Sequence, residues 1–171
     1  MTAVAEPAPI PALHPEIAAL APLLGTWRGR GHGEYPTIEP FDYLEEVTFG
    51  HLGRPFLTYR QRTRAADGSR PMHAETGYLR CPRPDHVELV LAHPTGITEI
   101  CEGPLEIADG ELRMEFTATA IGRTSTAKLV TALGRTFRVY GDTIDYTLRM
   151  AAVGEPLTHH LAASLSRITT P

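Results

Sequence analysis

The segment Gly25-Thr26-Trp27-Arg28-Gly29-Arg30-Gly31-His32-Gly33-Glu34-Tyr35-Pro36-Thr37-Ile38 decides the architecture. Read as a β-strand, its side chains alternate between two faces. One face carries Thr26, Arg28, Arg30, His32 and Glu34; the other carries Trp27, then Gly29, Gly31 and Gly33. Glycine weakens a strand, so three in register call for either a sharp bend or a flat, bulky group lying against bare backbone. Both fit the wall of a β-barrel that holds a ligand. Trp27 suits a plug for one barrel end, and Arg28 and Arg30, opposite the glycines, are expected in solvent.

Working outward, the rest of the chain reads as strands punctuated by turns. Candidate strands cover 26–35, 41–50, 55–64, 72–81, 86–93, 97–107, 111–119, 126–133, 135–141, 143–152 and 157–168. Turn signals fall at Asp67-Gly68, Pro82 to Pro84, Pro94 to Gly96, Asp109-Gly110, Gly141-Asp142 and Gly154 to Pro156. Tightly linked short strands form a meander, and a meander of this size closes into an up-and-down barrel. About eight strands already enclose one small ligand, and a few more widen the lumen. The expected fold is therefore all-β: a single antiparallel up-and-down barrel of about ten strands, with the 126–141 region merging or splitting. No helical stretches alternate with the strands, which disfavours a parallel α/β sheet. Ile17, Leu20, Leu23 and Leu24 recur at helical spacing between prolines, so a short helix can lie over one barrel end. Residues 1–14 read as a flexible Pro/Ala-rich tail without Lys or Arg, not a secretory signal, and 15–171 as the barrel domain.

Composition narrows the function. A chain of 171 residues, 42% apolar and 21% charged, suits one soluble domain with a sizeable core. A net charge of −4 without a basic cluster argues against nucleic acid and against a membrane surface. The apolar runs are too short to span a bilayer. Cys81 and Cys101 have no CxxC spacing, so free thiols in a reducing cytoplasm are expected. Small molecules are the expected partners, and exposed barrel strands leave a homodimer open.

Near the C-terminus, Pro156-Leu157-Thr158-His159-His160-Leu161-Ala162-Ala163-Ser164-Leu165-Ser166-Arg167 carries adjacent histidines that must point to opposite faces. His160 shares its face with small residues that leave room for a planar group. His159 shares its face with Leu157, Leu161 and Leu165, which an apolar lumen would prefer. Spacing alone leaves both open to being ordinary strand residues. Glu45 and Glu46, being adjacent, diverge: one is solvated, the other makes a barrel interaction.

Several segments together resemble a known family. GTWRGRG at 25–31 fits a GxWxGxG pattern running on into Tyr35-Pro36-Thr37-Ile38, and HLAASL with Arg167 fits a C-terminal HLxAxLxR pattern. With PMHAETGYLR, LVLAHPTGITEI and TAKLVTAL, the chain is similar to actinobacterial nitrobindins over about residues 16–168. A lone GxW is shared with lipocalins and fatty-acid-binding proteins; the ordered set is specific.

The resemblance implies a ten-stranded barrel holding one ferric haem b, with His160 as axial iron ligand. It implies a protein that binds nitric oxide and isomerises peroxynitrite to nitrate, the alternative being a non-enzymatic haem or fatty-acid-like carrier or a nitric oxide sensor. Thr37 corresponds to a haem contact, or serves as a turn hydroxyl after Pro36. Lys128 corresponds to another, suited to a propionate, or is an ordinary exposed lysine. Met72, His73, His93 and Met150 match cavity-lining positions, although Met72 and His73 cannot both point inward without a bulge or strand end. Gly29 and Gly31 would form one wall of the haem slot. A catalytic protein residue beyond the haem iron is not implied.

Overall fold

In the computed structural model, which describes Pro9 and residues 11–169, ten antiparallel strands close a barrel. They are β1 (Gly25–Tyr35), β2 (Ile38–His51), β3 (Leu57–Ala65), β4 (Pro71–Arg83) and β5 (His86–His93). The second half comprises β6 (Ile97–Ala108), β7 (Glu111–Arg123), β8 (Val130–Tyr140), β9 (Thr143–Ala152) and β10 (Thr158–Arg167). Each strand pairs with its sequence neighbours, and β1 closes the ring on β10. The two candidates within 126–141 merge into β8, because Gly134 stays in register on both sides, opposite Thr117 and Arg149. The reading of a flexible tail over 1–14 falls largely outside the described residues.

Alternation builds the wall. On β2, Tyr43, Glu45, Val47 and Phe49 point inward, and on β5 Val87, Leu89 and Leu91 do so. Glu46 faces out between Arg28 and Arg62, each 2.6 Å away, while Glu45 is 4% exposed. The two adjacent carboxylates thus diverge as alternation requires.

One end is plugged. A 3-10 helix, Pro15–Leu23, buries Ile17, Leu20 and Leu23. Pro15 opens it at the first position, where proline is favoured, and Pro22 inside it removes an amide donor, which keeps this piece short of an α-helix. Trp27 is fully buried and donates its indole N–H to the Leu23 carbonyl at 2.7 Å. The Arg167 guanidinium stacks 4.0 Å over the indole and donates to the Pro22 and Leu24 carbonyls. Burying such apolar side chains contributes about 1.5–3 kcal/mol each.

The glycine face has a different occupant from the one expected. A Cβ at Gly31 would stand 2.2 Å from the Tyr43 ring, and one at Gly33 2.3 Å from the Phe41 ring. At Gly29 it would meet the Ser164 carbonyl at 1.9 Å. The flat groups on the bare backbone are aromatic side chains of β2, and β10 crowds the rest. Neither Gly29 nor Gly31 is among the residues lining the barrel cavity, where they were expected to form one wall of a haem slot.

Candidate functional site

The cavity, about 640 Å³, opens at the end opposite Trp27, among the β1–β2, β5–β6 and β7–β8 connections. Its size is that of a site for one small organic ligand, within the usual span of roughly 300–1,000 Å³. Phe41, Ile97, Leu133, Leu148 and Leu161 make much of its wall apolar.

His160 enters this cavity through a register slip. His159 pairs with Arg149 and Leu161 with Leu148, so His160 is the extra residue of a β-bulge. The inward set of β10 is Leu161, Ala163 and Leu165, the leucine parity, and the bulge adds His160 to it. That removes the conflict between the apolar face and the histidine. The last β1–β10 pair is Gly33 with Leu161, and beyond it the Glu34 carbonyl lies 3.0 Å from His160 Nδ1. Nδ1–H donates to that carbonyl, which fixes the tautomer and leaves Nε2 with the free lone pair. Burial, together with the neighbouring His159 and His73, lowers the pKa of His160 from its usual value despite the Glu34 contact. The imidazole is therefore neutral at neutral pH, the form that binds a metal. Tyr35 meets its ring edge-on at 5.2 Å and is itself pinned by accepting the Ala152 N–H at 2.8 Å.

The other expected residues collect around the same space. Thr37 sits in the β1–β2 turn and Lys128 in the β7–β8 connection, both exposed and both lining the mouth. Met72 and His73 both reach the cavity because Arg62 pairs with Ala74 and Arg64 with Pro71, a bulge of the kind their adjacency demands. His93 ends β5 and Met150 ends an inward series on β9. All six line the cavity with His160; Gly29 and Gly31 do not.

Sequence reading missed a charged layer between cavity and plug. Arg135, with 1% of its side chain exposed, donates from Nη1 and Nη2 to Glu75 at 2.9 and 3.1 Å, and from Nη2 to Glu99 at 2.7 Å. Tyr59 donates to Glu75 at 2.7 Å. Burial would push the Glu75 and Glu99 carboxyls up; the Arg135 charge overrides it and holds both below the usual carboxylate range. Glu45 lacks such a partner: Gln61 donates to it at 3.3 Å, its Oε2 is orphaned, and burial pushes its pKa up to about 7. The signal was present as period two, since Arg135 shares parity with Leu133 and Phe137, and Glu75 with Leu79. Splitting the chain at Gly134 hid it.

A closed barrel with an apolar cavity, a cation at its rim and one neutral imidazole on a bulge defines a small-molecule-binding β-barrel able to hold a metal-bearing planar group. The chain belongs to the THAP4-like, heme-binding β-barrel family, whose domain it matches over residues 16–167. It is 84% identical over 167 residues to a peroxynitrite isomerase of Nocardia farcinica, covering 98% of this chain and 99% of that protein. It is 63% identical to peroxynitrite isomerase 2 of Mycobacterium avium, over 91% of this chain and 96% of that one. The crystal structure of Rv2717c from M. tuberculosis superposes with a TM-score of 0.90 at 55% identity, covering 92% of this chain and all of that one. The residues fit the family's group: an oriented Nε2, apolar walls for a macrocycle, and a lysine where propionates would emerge. Among the described residues, no helix is long and apolar enough to cross a membrane.

Proposed function

We propose that this chain is a cytoplasmic haem-dependent peroxynitrite isomerase that also binds nitric oxide, with residues 15–171 as its working unit and small molecules as its partners. The observation that carries the reading is His160, an inward imidazole on a bulge whose Nδ1–H is spent on the Glu34 carbonyl. The names borne by the Nocardia and mycobacterial relatives support the activity.

In this reading His160 Nε2 holds the iron of one haem b, and the Glu34 carbonyl keeps the ring in that tautomer and raises its basicity. Met72 and Met150 pack the macrocycle edge. Lys128 pairs with a propionate and Thr37 hydrogen-bonds at the same mouth. When bound, ferric haem would supply a Lewis-acid iron for the isomerisation of peroxynitrite to nitrate. The two anions have the same atoms and charge, so no side chain has to deliver or remove a proton overall. The chain's own task would be to hold the group, admit a small anion through the cavity mouth, and exclude bulk water with its apolar wall.

A fatty-acid carrier would offer a guanidinium to the lipid carboxylate. Here the buried guanidinium is already taken up by Glu75, Glu99 and the Tyr146 hydroxyl. The test is stopped-flow decay of peroxynitrite with nitrate yield, in haem-loaded and haem-free chain. Faster decay with a raised nitrate yield only in the loaded form is expected; equal decay in both would leave a binding protein only.

A further inference from the structure

The haem reading uses one histidine of the cavity and leaves two unexplained. His73 Nε2 and His93 Nδ1 are 3.2 Å apart, and Glu75 Oε2 lies 3.9 Å from the first and 3.4 Å from the second. We propose that His73, Glu75 and His93 form a second metal site, distinct from the haem iron, that takes one divalent transition cation of the zinc class.

Three observations carry the assignment. First, the three donor atoms converge. Metal bonds of about 2.0–2.2 Å at angles between square and wide tetrahedral place donors about 3.0–3.8 Å apart, close to the spacings seen. Two imidazoles and one carboxylate are also the donor set that borderline divalent metals take, with remaining positions open.

Second, the outer contacts are those of a ligand set. A ligating imidazole carries a carboxylate behind its other nitrogen. His93 Nε2 lies 2.7 Å from Glu99 Oε1, off the N–H axis so that no aligned hydrogen bond forms. Glu75 is held in place by Arg135 and Tyr59. Glu75 is therefore held from behind, Glu99 stands beside the outer nitrogen of His93, and all three donors line the cavity shared with His160.

Third, two buried carboxylates share one buried guanidinium. Glu75 and Glu99, 4% and 2% exposed, both turn to Arg135. Buried acidic groups are paired or bound to metal, so this layer has a place for a further cation. A proton shared between the two imidazoles is the competing occupant. It would satisfy the 3.2 Å contact but make no use of the third donor.

The test is equilibrium dialysis of the full chain against Zn²⁺, with bound metal counted by elemental analysis. One Zn²⁺ per chain is expected, with at least tenfold weaker binding in His73→Gln and in His93→Gln. His160→Ala should keep the zinc, which separates this site from the haem ligand. His86→Gln should also keep it, which separates the site from the surface group His86, Glu88 and Glu102. Zinc X-ray absorption on the unaltered chain gives the same answer without relying on a variant's folding: two imidazoles and one carboxylate oxygen at about 2.0–2.2 Å. Failure to retain zinc would overturn the proposal in favour of a shared proton. Zinc lost in His86→Gln or His160→Ala, or retained in both His73→Gln and His93→Gln, would overturn it equally.

Discussion

Replacing Glu45 with glutamine should make the protein more stable at pH 8 and change its stability far less at pH 5. Glu45 is 4% exposed, receives one hydrogen bond from Gln61, and has an orphaned Oε2. Burial raises its pKa from 4.5 to about 7 in the folded chain. A carboxyl whose folded pKa is raised binds its proton more tightly when folded, so the wild type loses stability as pH climbs from about 4.5 to about 7 and levels off above. At about 1.36 kcal/mol per pKa unit the loss is about 3 kcal/mol. The amide of the Glu45→Gln variant carries no charge at any pH and keeps an oxygen to accept from Gln61. The gain at pH 8 should thus approach about 3 kcal/mol, or about 6–12 °C in Tm for a domain of this length. His160, whose pKa is lowered, contributes to the pH dependence with the opposite sign. Comparing variant with wild type at each pH cancels that contribution. The assay is urea unfolding at pH 5, 6, 7 and 8. A variant less stable at pH 8, or one with the wild-type pH dependence, would refute the account of Glu45.

Other perturbations test the layers around it. Arg135→Met should cost about 3–5 kcal/mol at pH 7.5, because it strands two buried carboxylates; unlike the wild type, which weakens as acid protonates Glu75 and Glu99, the variant should recover as pH falls to 5, as read by thermal unfolding. Gly29→Ala should lower the urea midpoint by about 1–3 kcal/mol equivalent, since its Cβ would meet the Ser164 carbonyl, while haem affinity of the folded chain stays constant. Haem affinity falling at unchanged stability would restore Gly29 as a ligand contact. Lys128→Met should speed haem transfer to apomyoglobin by no more than about fivefold, the worth of an exposed ion pair, with a smaller effect at high salt.

Much of the barrel was legible because strand alternation is a local rule. Trp27, the inward series of β5 and β9, and the divergence of Glu45 and Glu46 all follow from period two. The legible part ended where alternation breaks. His160 contradicts the leucine parity of β10, and only the bulge between His159 and Leu161 reconciles them. Nothing in the residue types around His159 and His160 announces that extra residue, because it arises from pairing with β9. The same holds for Met72 and His73, whose joint inward position depends on the slip opposite Arg62 and Arg64. The glycines show the reverse failure: their bare face was read correctly, and its occupant was not, since Tyr43 and Phe41 come from a different strand. The charged layer of Arg135, Glu75 and Glu99 obeys alternation and could have been found by treating polar residues at inward positions as partners for one another.

The central claim is that His160 holds haem through Nε2, and reconstitution tests it most directly. Wild-type chain and His160→Ala are titrated with ferric haem and followed by absorption, with and without added imidazole. The account predicts a Soret band saturating at one haem per chain in the wild type, its loss or strong shift in His160→Ala, and recovery with imidazole. An unchanged Soret band and stoichiometry in His160→Ala would contradict it.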